Sequence, residues 1–220
     1  MDPAELGLPA APLLVYIMKR IFLLIAFLCI PGIAIADSDA GMRLADAARL
    51  QIGKTLGYDP AYRSLPYPHG DVPMGTGVCS DVIVRAFRAA IGLDLQQLIH
   101  EDMRRSFDKC PDTWGLGSPD RNIDHRRVPN LETYFRRQGW SLPVSRDPKD
   151  YEPGDLVTCM VPPHLAHIMI VSTKRTLFGR PLIIHNIGAG TKEEDRLFEF
   201  ELTGHYRIDL PGRNNAVTRR

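Results

Sequence analysis

The chain has 220 residues, with 27 lysines and arginines against 26 aspartates and glutamates. Charge this balanced excludes a nucleic-acid binder that relies on bulk positive charge. The length supports one domain with a proper hydrophobic core, and no repeat or low-complexity linker divides it.

The longest apolar run, Ile21 to Ile30 and on to Ala36, follows Met18-Lys19-Arg20 and ends in Ala34-Ile35-Ala36 before Asp37. A short basic stretch, an apolar stretch and small residues at the end form a secretory signal peptide, cleaved after Ala36. Pro31 and Gly32 interrupt the run and argue against a retained membrane anchor. Residues 1–36 are therefore read as leader, with Met18 the better start. Residues 37–220 are read as one periplasmic or secreted domain with no stable membrane insertion. Cys29 leaves with the leader, and Leu28 argues against lipid attachment there. Export takes Cys79, Cys110 and Cys159 into an oxidising compartment. If Cys79 stays reduced, Cys110 with Cys159 is the only bridge left; otherwise all three are free thiols.

The spacing of Met42, Ala45, Ala48, Ile52 and Leu56 predicts a helix over 39–56, weakened at Gly53. A Gly/Pro-rich loop from Tyr67 ends at Cys79, and Val82, Ile83, Ala86, Phe87, Ala90 and Ile91 then recur at helical spacing. Gly92 ends that helix. Asp94 caps another that runs to about Phe107. Residues 110–124 read as a long ordered loop, and 131–138 as a short helix. From Tyr151 the pattern turns to short strands at 155–161, 166–172, 181–187, 196–202 and 205–209. Helices first and strands afterwards give an α+β domain with a mostly antiparallel sheet.

Cys79 thus begins a helix, where unpaired N–H groups and the helix dipole favour a thiolate and can hold an oxyanion. A buried cysteine is more often structural, but two histidines on predicted strands, His167 and His185, supply the base and orienting group a thiol nucleophile needs. Alternation along the strand sends His185 and Asn186 to opposite faces, so only one of them shares the face of His167. His185 is the chosen partner and Asn186 the alternative. The helix terminus and His167 are together expected to depress the Cys79 pKa.

Tyr67, Gly70, Pro73, Cys79-Ser80, then Pro153-Gly154-Asp155-Leu156-Val157, His167-Ile168-Met169-Ile170-Val171 and Ile184-His185 resemble the NlpC-type cell-wall peptidases of the papain-like superfamily. Gly77-Val78-Cys79-Ser80-Asp81, the segment Asn122 to Leu131, His185 to Gly190 and Gly204-His205-Tyr206-Arg207 more closely resemble a family of exported bacterial proteins, a domain of unknown function near those peptidases. The resemblance implies a papain-like (NlpC-type) fold with N-terminal helices and the catalytic cysteine at a helix N-terminus. It implies Cys79 as nucleophile, His167 as general base and His185 as third residue. Tyr67, Ser80, Asp81 and Asn186 are then the candidate substrate- or oxyanion-side groups. The peptidases usually carry Asp before the cysteine and Gly two after it. Val78 and Asp81 depart from that, so recognition of a free amine by that Asp is not carried over.

His100-Glu101-Asp102, Asp124-His125 and His164 have no close metal-ligand spacing, and neither metal nor cofactor is expected. Arg126 and Arg127 either clamp a substrate carboxylate or hold the long loop. The reading is an exported Cys-His-His hydrolase of amide bonds, with peptidoglycan peptides as the leading substrate class. Acyl transfer by the same dyad, or a non-catalytic cell-wall binding module, are the alternatives.

Overall fold

A computed structural model describes residues 35–210. The leader expected over residues 1–36, Met18 included, lies outside the described residues except for its last two positions. The chain divides into units 1–35 and 36–220, and the architecture that follows belongs to the second.

Among the described residues, four α-helices precede the long sheet. Helix α1 (Ile35–Arg49) buries Ala40, Leu44, Ala45 and Ala48, whereas Met42, Ile52 and Leu56 are exposed. It therefore stops short of the predicted Leu56, and its inner face centres on Leu44 and Ala48. Past Arg49 the chain turns, with Gly53 at φ 76°, a conformation that favours glycine. Gln51 folds inward and donates from Nε2 to the carbonyl of Val82 at 2.9 Å.

Helix α2 (Cys79–Ile91) is the central one; its residues 79 to 87 are all buried. It ends at Gly92, which takes the left-handed conformation typical of a helix stop. Helix α3 (Leu95–Arg105) starts at Asp94, whose carboxylate accepts from the N–H of Gln96. Residues 110–123 form the expected loop without regular structure. Helix α4 (Val128–Arg137) begins three residues earlier than predicted, because Pro129 in the first turn is well suited to a helix start. Phe135 of α4 lies 5.7 Å from Trp140 and 6.4 Å from Phe87, centroid to centroid, and closes the aromatic heart of the core. Removing its ring would cost about 3–5 kcal/mol.

The long sheet contains β3 (Ser141–Leu142), β4 (Leu156–Val161), β5 (Leu165–Arg175), β6 (Pro181–Asn186), β7 (Thr191–Glu194) and β8 (Glu201–Tyr206), in the order β3-β8-β4-β5-β6-β7. Every pairing in it is antiparallel. Two short strands, β1 (Gly57–Tyr58) and β2 (Thr76–Gly77), form a separate parallel pair just before α2. The domain is thus α+β with a mostly antiparallel sheet.

The last two predicted strands are displaced. β7 is Thr191-Lys192-Glu193-Glu194, an edge strand whose charged residues carry no apolar signal. Leu197 and Phe198 instead turn back to cover the sheet face away from the helices, with Tyr151, Val157, Cys159, Met169, Val171 and Ile183. The opposite face, Leu156, Ile168, Ile170 and Ile184, packs against the helices.

The Gly/Pro-rich strap that leads into Cys79 is fastened to α2 and α3. Arg85 bonds the Asp71 carboxylate at 2.8 Å and the carbonyls of Val72 and Thr76, and Arg88 reaches the carbonyl of Gly70. Gln96 both accepts from Gly70 N–H and donates to Pro66 O. At Gly70 a Cβ would sit 2.1 Å from the Pro66 carbonyl, so this turn closes only around glycine.

Candidate active site

Cys79 occupies the first turn of α2, with its side chain in the core layer between the helix and β5. The backbone N–H groups of Ile168, Ser80 and Cys79 itself face the sulfur. Burial nevertheless pushes the thiol up to about 11; the Ile168 N–H opposes the rise and the Asp81 carboxylate adds to it. The expected depression is therefore not found, because desolvation of a fully enclosed thiolate outweighs what the helix end offers. Among the described residues no hydrogen bond joins the thiol to His167.

β5 and β6 carry the imidazoles. The pairing of Ile170 with Ile184 sets the register that puts His167 and His185 on one face, and Asn186 on the other. His167 Nε2 is 2.9 Å from His185 Nδ1, with the rings inclined at 72°. His185 Nε2 is 3.0 Å from Glu194 Oε2 on β7, and Arg196 lies 3.5 Å from the same oxygen. An ionised carboxylate only accepts, so His185 carries its proton on Nε2 and presents a bare Nδ1. His167 must then donate from Nε2, which leaves its Nδ1 bare and, among the described residues, without a hydrogen bond. These tautomers follow from the bonding pattern. Burial, then His185 and Arg196, press the His167 pKa down to about 3; burial also lowers that of His185, against the pull of Glu194. With their pKa values held down both rings stay neutral at pH 7, and the ring nitrogen left bare at the end of the series is His167 Nδ1.

Cys159 is the cross-strand neighbour of His167 and is fully buried. Burial, with Cys79 next, raises its thiol to about 12. Cys110 lies far from it in the chain's layout, on the helical side, and its Sγ donates to Ser106 O. All three thiols are free, so the Cys110–Cys159 bridge is absent from this structure.

The remaining candidate residues separate from this centre. Asp81 accepts from the N–H of Val78 at 2.7 Å, which caps α2, and pairs with Arg126 at 3.1 Å; both side chains are almost wholly buried. Arg126 further binds the carbonyls of Asp59 and Ala61. Ser80 is buried and donates to Arg126 O at 2.9 Å. Ser80 and Asp81 thus hold the turn that carries Cys79, with their side-chain oxygens taken up by protein partners among the described residues. Asn186 is fully buried; it donates to Gly57 O and Gly77 O and accepts from Gly188 N–H, tying the strap before Cys79 to the sheet.

Tyr67 packs edge-on against His100 of α3, at 5.3 Å between ring centroids. The tyrosine whose phenol feels Cys79 is Tyr58 on β1, raised to about 12 by burial first and then by Cys79 and Asp81. Tyr58 and Glu194 are the two residues that sequence reasoning missed. For Glu194 the signal was alternation with Lys192 on a strand that pairs with β6; for Tyr58 there was none, since a two-residue strand leaves no pattern.

The pattern of the family described as a domain of unknown function, DUF1287, matches residues 45–208. The chain belongs to the DUF1287 family. The match takes in Cys79, His167, His185 and Glu194. The chain is also similar to the "Uncharacterized protein YijF" of Escherichia coli (strain K12), 52% identical over 177 residues, 80% of this chain and 86% of that one. Among solved structures, NlpC1 from Trichomonas vaginalis aligns with a TM-score of 0.38 and 15% identity, over 77% of this chain and 44% of that protein. This chain thus spans less than half of it, and a superposition that loose decides nothing about the DUF1287 domain's chemistry.

Proposed function

We propose that the protein is an exported cysteine hydrolase that cleaves amide bonds in peptidoglycan peptides. The observation that supports this best is Cys79 in the first turn of α2 with the N–H groups of Ile168, Ser80 and Cys79 around its sulfur; the ordered series His167–His185–Glu194 starts one residue before Ile168, on the opposite face of β5. Cys79 attacks the carbonyl, His167 Nδ1 takes the thiol proton and returns it to the leaving amine, and the Cys79 N–H steadies the oxyanion. His185 fixes the His167 tautomer, and Glu194 fixes that of His185. With a neutral thiol and neutral imidazoles at rest, the proton moves only once the substrate is bound and the His167 ring is brought from the far face of β5 to the thiol. The leader read over residues 18–36 carries the enzyme to its wall substrate.

A second reading has one observation in its favour. The enclosure of Cys79 and its lack of a bond to His167 fit a binding module that has kept the fold without the chemistry. Incubating the purified protein with muropeptides and analysing the products by mass spectrometry separates the two. New amine termini and a matching loss of amide bonds are expected. Retention of intact muropeptides would put the binding module in the enzyme's place.

A further inference from the structure

The loop between α3 and α4 encloses a cavity of about 230 Å³ that plays no part in the chemistry above. Met103, Phe107, Pro111, Trp114 and Leu116 give it apolar walls, and Arg127 and Asn130 give it polar ones. The two adjacent arginines have opposite fates. Arg126 is consumed by Asp81 and two carbonyls, whereas the Arg127 side chain makes no hydrogen bond or ion pair among the described residues, and its Nη1 is buried without a partner. Its guanidinium carbon lies 4.1 Å from the centre of the Trp114 ring, within cation–π range. Asn130 is 2% exposed; its Nδ2 donates to Asp124 O, but its Oδ1 is buried and unpartnered. A buried donor and a buried acceptor on one cavity wall are costly unless something binds them.

We infer that this cavity is a binding site for an α-carboxylate with an adjacent N–H and an apolar side chain, the chemistry of a peptide C-terminus or a free amino acid. The carboxylate takes Arg127 Nη1, the N–H takes Asn130 Oδ1, and the side chain lies against Phe107, Trp114 and Leu116. A guanidinium seated over an aromatic ring with an unpaired Nη1 is well suited to a carboxylate. The volume suits a single residue, since drug-sized ligands need about 300–1,000 Å³. Asp108 and Asp112 at the exposed rim favour a neighbouring ammonium. The site makes no use of Cys79, so it stands or falls separately from the hydrolase reading.

The test is titration of the full protein, with Cys79→Ala to silence any turnover, against N-acetyl-phenylalanine, alanyl-phenylalanine, phenylalanine and phenylalanine amide. Binding is followed by tryptophan fluorescence and by calorimetry. Trp114 is half-exposed in the site and Trp140 is buried in the core, so Trp114→Phe identifies the reporter. Saturable binding of the three acids is expected, with at least tenfold weaker binding of the amide, and at least tenfold loss in Arg127→Met, which keeps the apolar stem. Tighter binding of alanyl-phenylalanine than of phenylalanine assigns the site to peptide ends, and the reverse order to free amino acids. Equal binding of acid and amide, unchanged affinity in a folded Arg127→Met protein, or no saturable response to any of the four overturns the inference.

Discussion

His185 Nδ1 sits 2.9 Å from His167 Nε2, and this one bond decides which nitrogen of His167 is free to act as base. The bond has its direction because Glu194, 3.0 Å beyond, can only accept. Glu194→Gln offers an amide that donates as readily as it accepts, so it releases the tautomer. Turnover should fall roughly 10- to 1,000-fold while the fold persists, a milder form of what a carboxylate-to-amide change does to a catalytic triad. A Glu194→Gln protein with wild-type kcat would show that the series does not orient the base.

Asn186 and His185 are neighbours in sequence and should respond in opposite ways. Asn186→Ala removes the amide that donates to Gly57 O and Gly77 O, leaving Gly77 O the Asp59 N–H at 3.3 Å, and should cost about 1–3 kcal/mol, visible in urea unfolding. His185→Ala should lower the rate by more than it lowers stability. If the His185 change spares the rate and the Asn186 change abolishes it in a folded protein, the third role belongs to Asn186.

Breaking the Asp81–Arg126 pair from one side leaves an uncompensated charge under the turn that carries Cys79. Arg126→Leu should destabilise the domain by about 3–5 kcal/mol. Replacing both residues by apolar ones should recover part of that loss. A shift in urea midpoint no larger than that of a surface substitution would remove the pair from its anchoring role.

Acid should weaken the fold well above the range of carboxylate titration. Burial holds His167 and His125 down to about 3 and lowers His185, so the folded state refuses protons that the unfolded chain accepts. Their stabilisation is present above an unfolded pKa near 6.5 and is lost as pH falls towards the folded values, at up to about 1.4 kcal/mol per pH unit for each excluded proton. Calorimetric melting should therefore drop between pH 7 and pH 5. A flat profile over that interval would mean the imidazoles are less enclosed than they stand here.

Much of this was legible in the sequence, and the reasons are local. Apolar spacing after Cys79 marked α2, Asp94 marked the start of α3, and the period of two in Leu182 to Asn186 put His185 and Asn186 on opposite faces. What escaped detection was whatever depends on distant partners. Glu194 lies on an edge strand made of charges, and Tyr58 on a strand of two residues whose place is set by Gly77. Ser80 and Asp81 stood beside the cysteine and so looked like substrate groups, but Arg126, 45 residues on from Asp81, claims both. The high thiol pKa likewise comes from packing, which the helix start alone does not reveal.

The central claim is that Cys79 forms a covalent acyl intermediate with help from His167. The direct measurement is acid quench of the protein during reaction with a muropeptide or a peptide ester, followed by intact mass and peptide mapping. The account predicts a thioester adduct on the peptide that holds Cys79, absent in Cys79→Ala and slower to form in His167→Ala. An adduct on Cys110 or Cys159 instead, or undiminished cleavage by the Cys79→Ala protein, would contradict it.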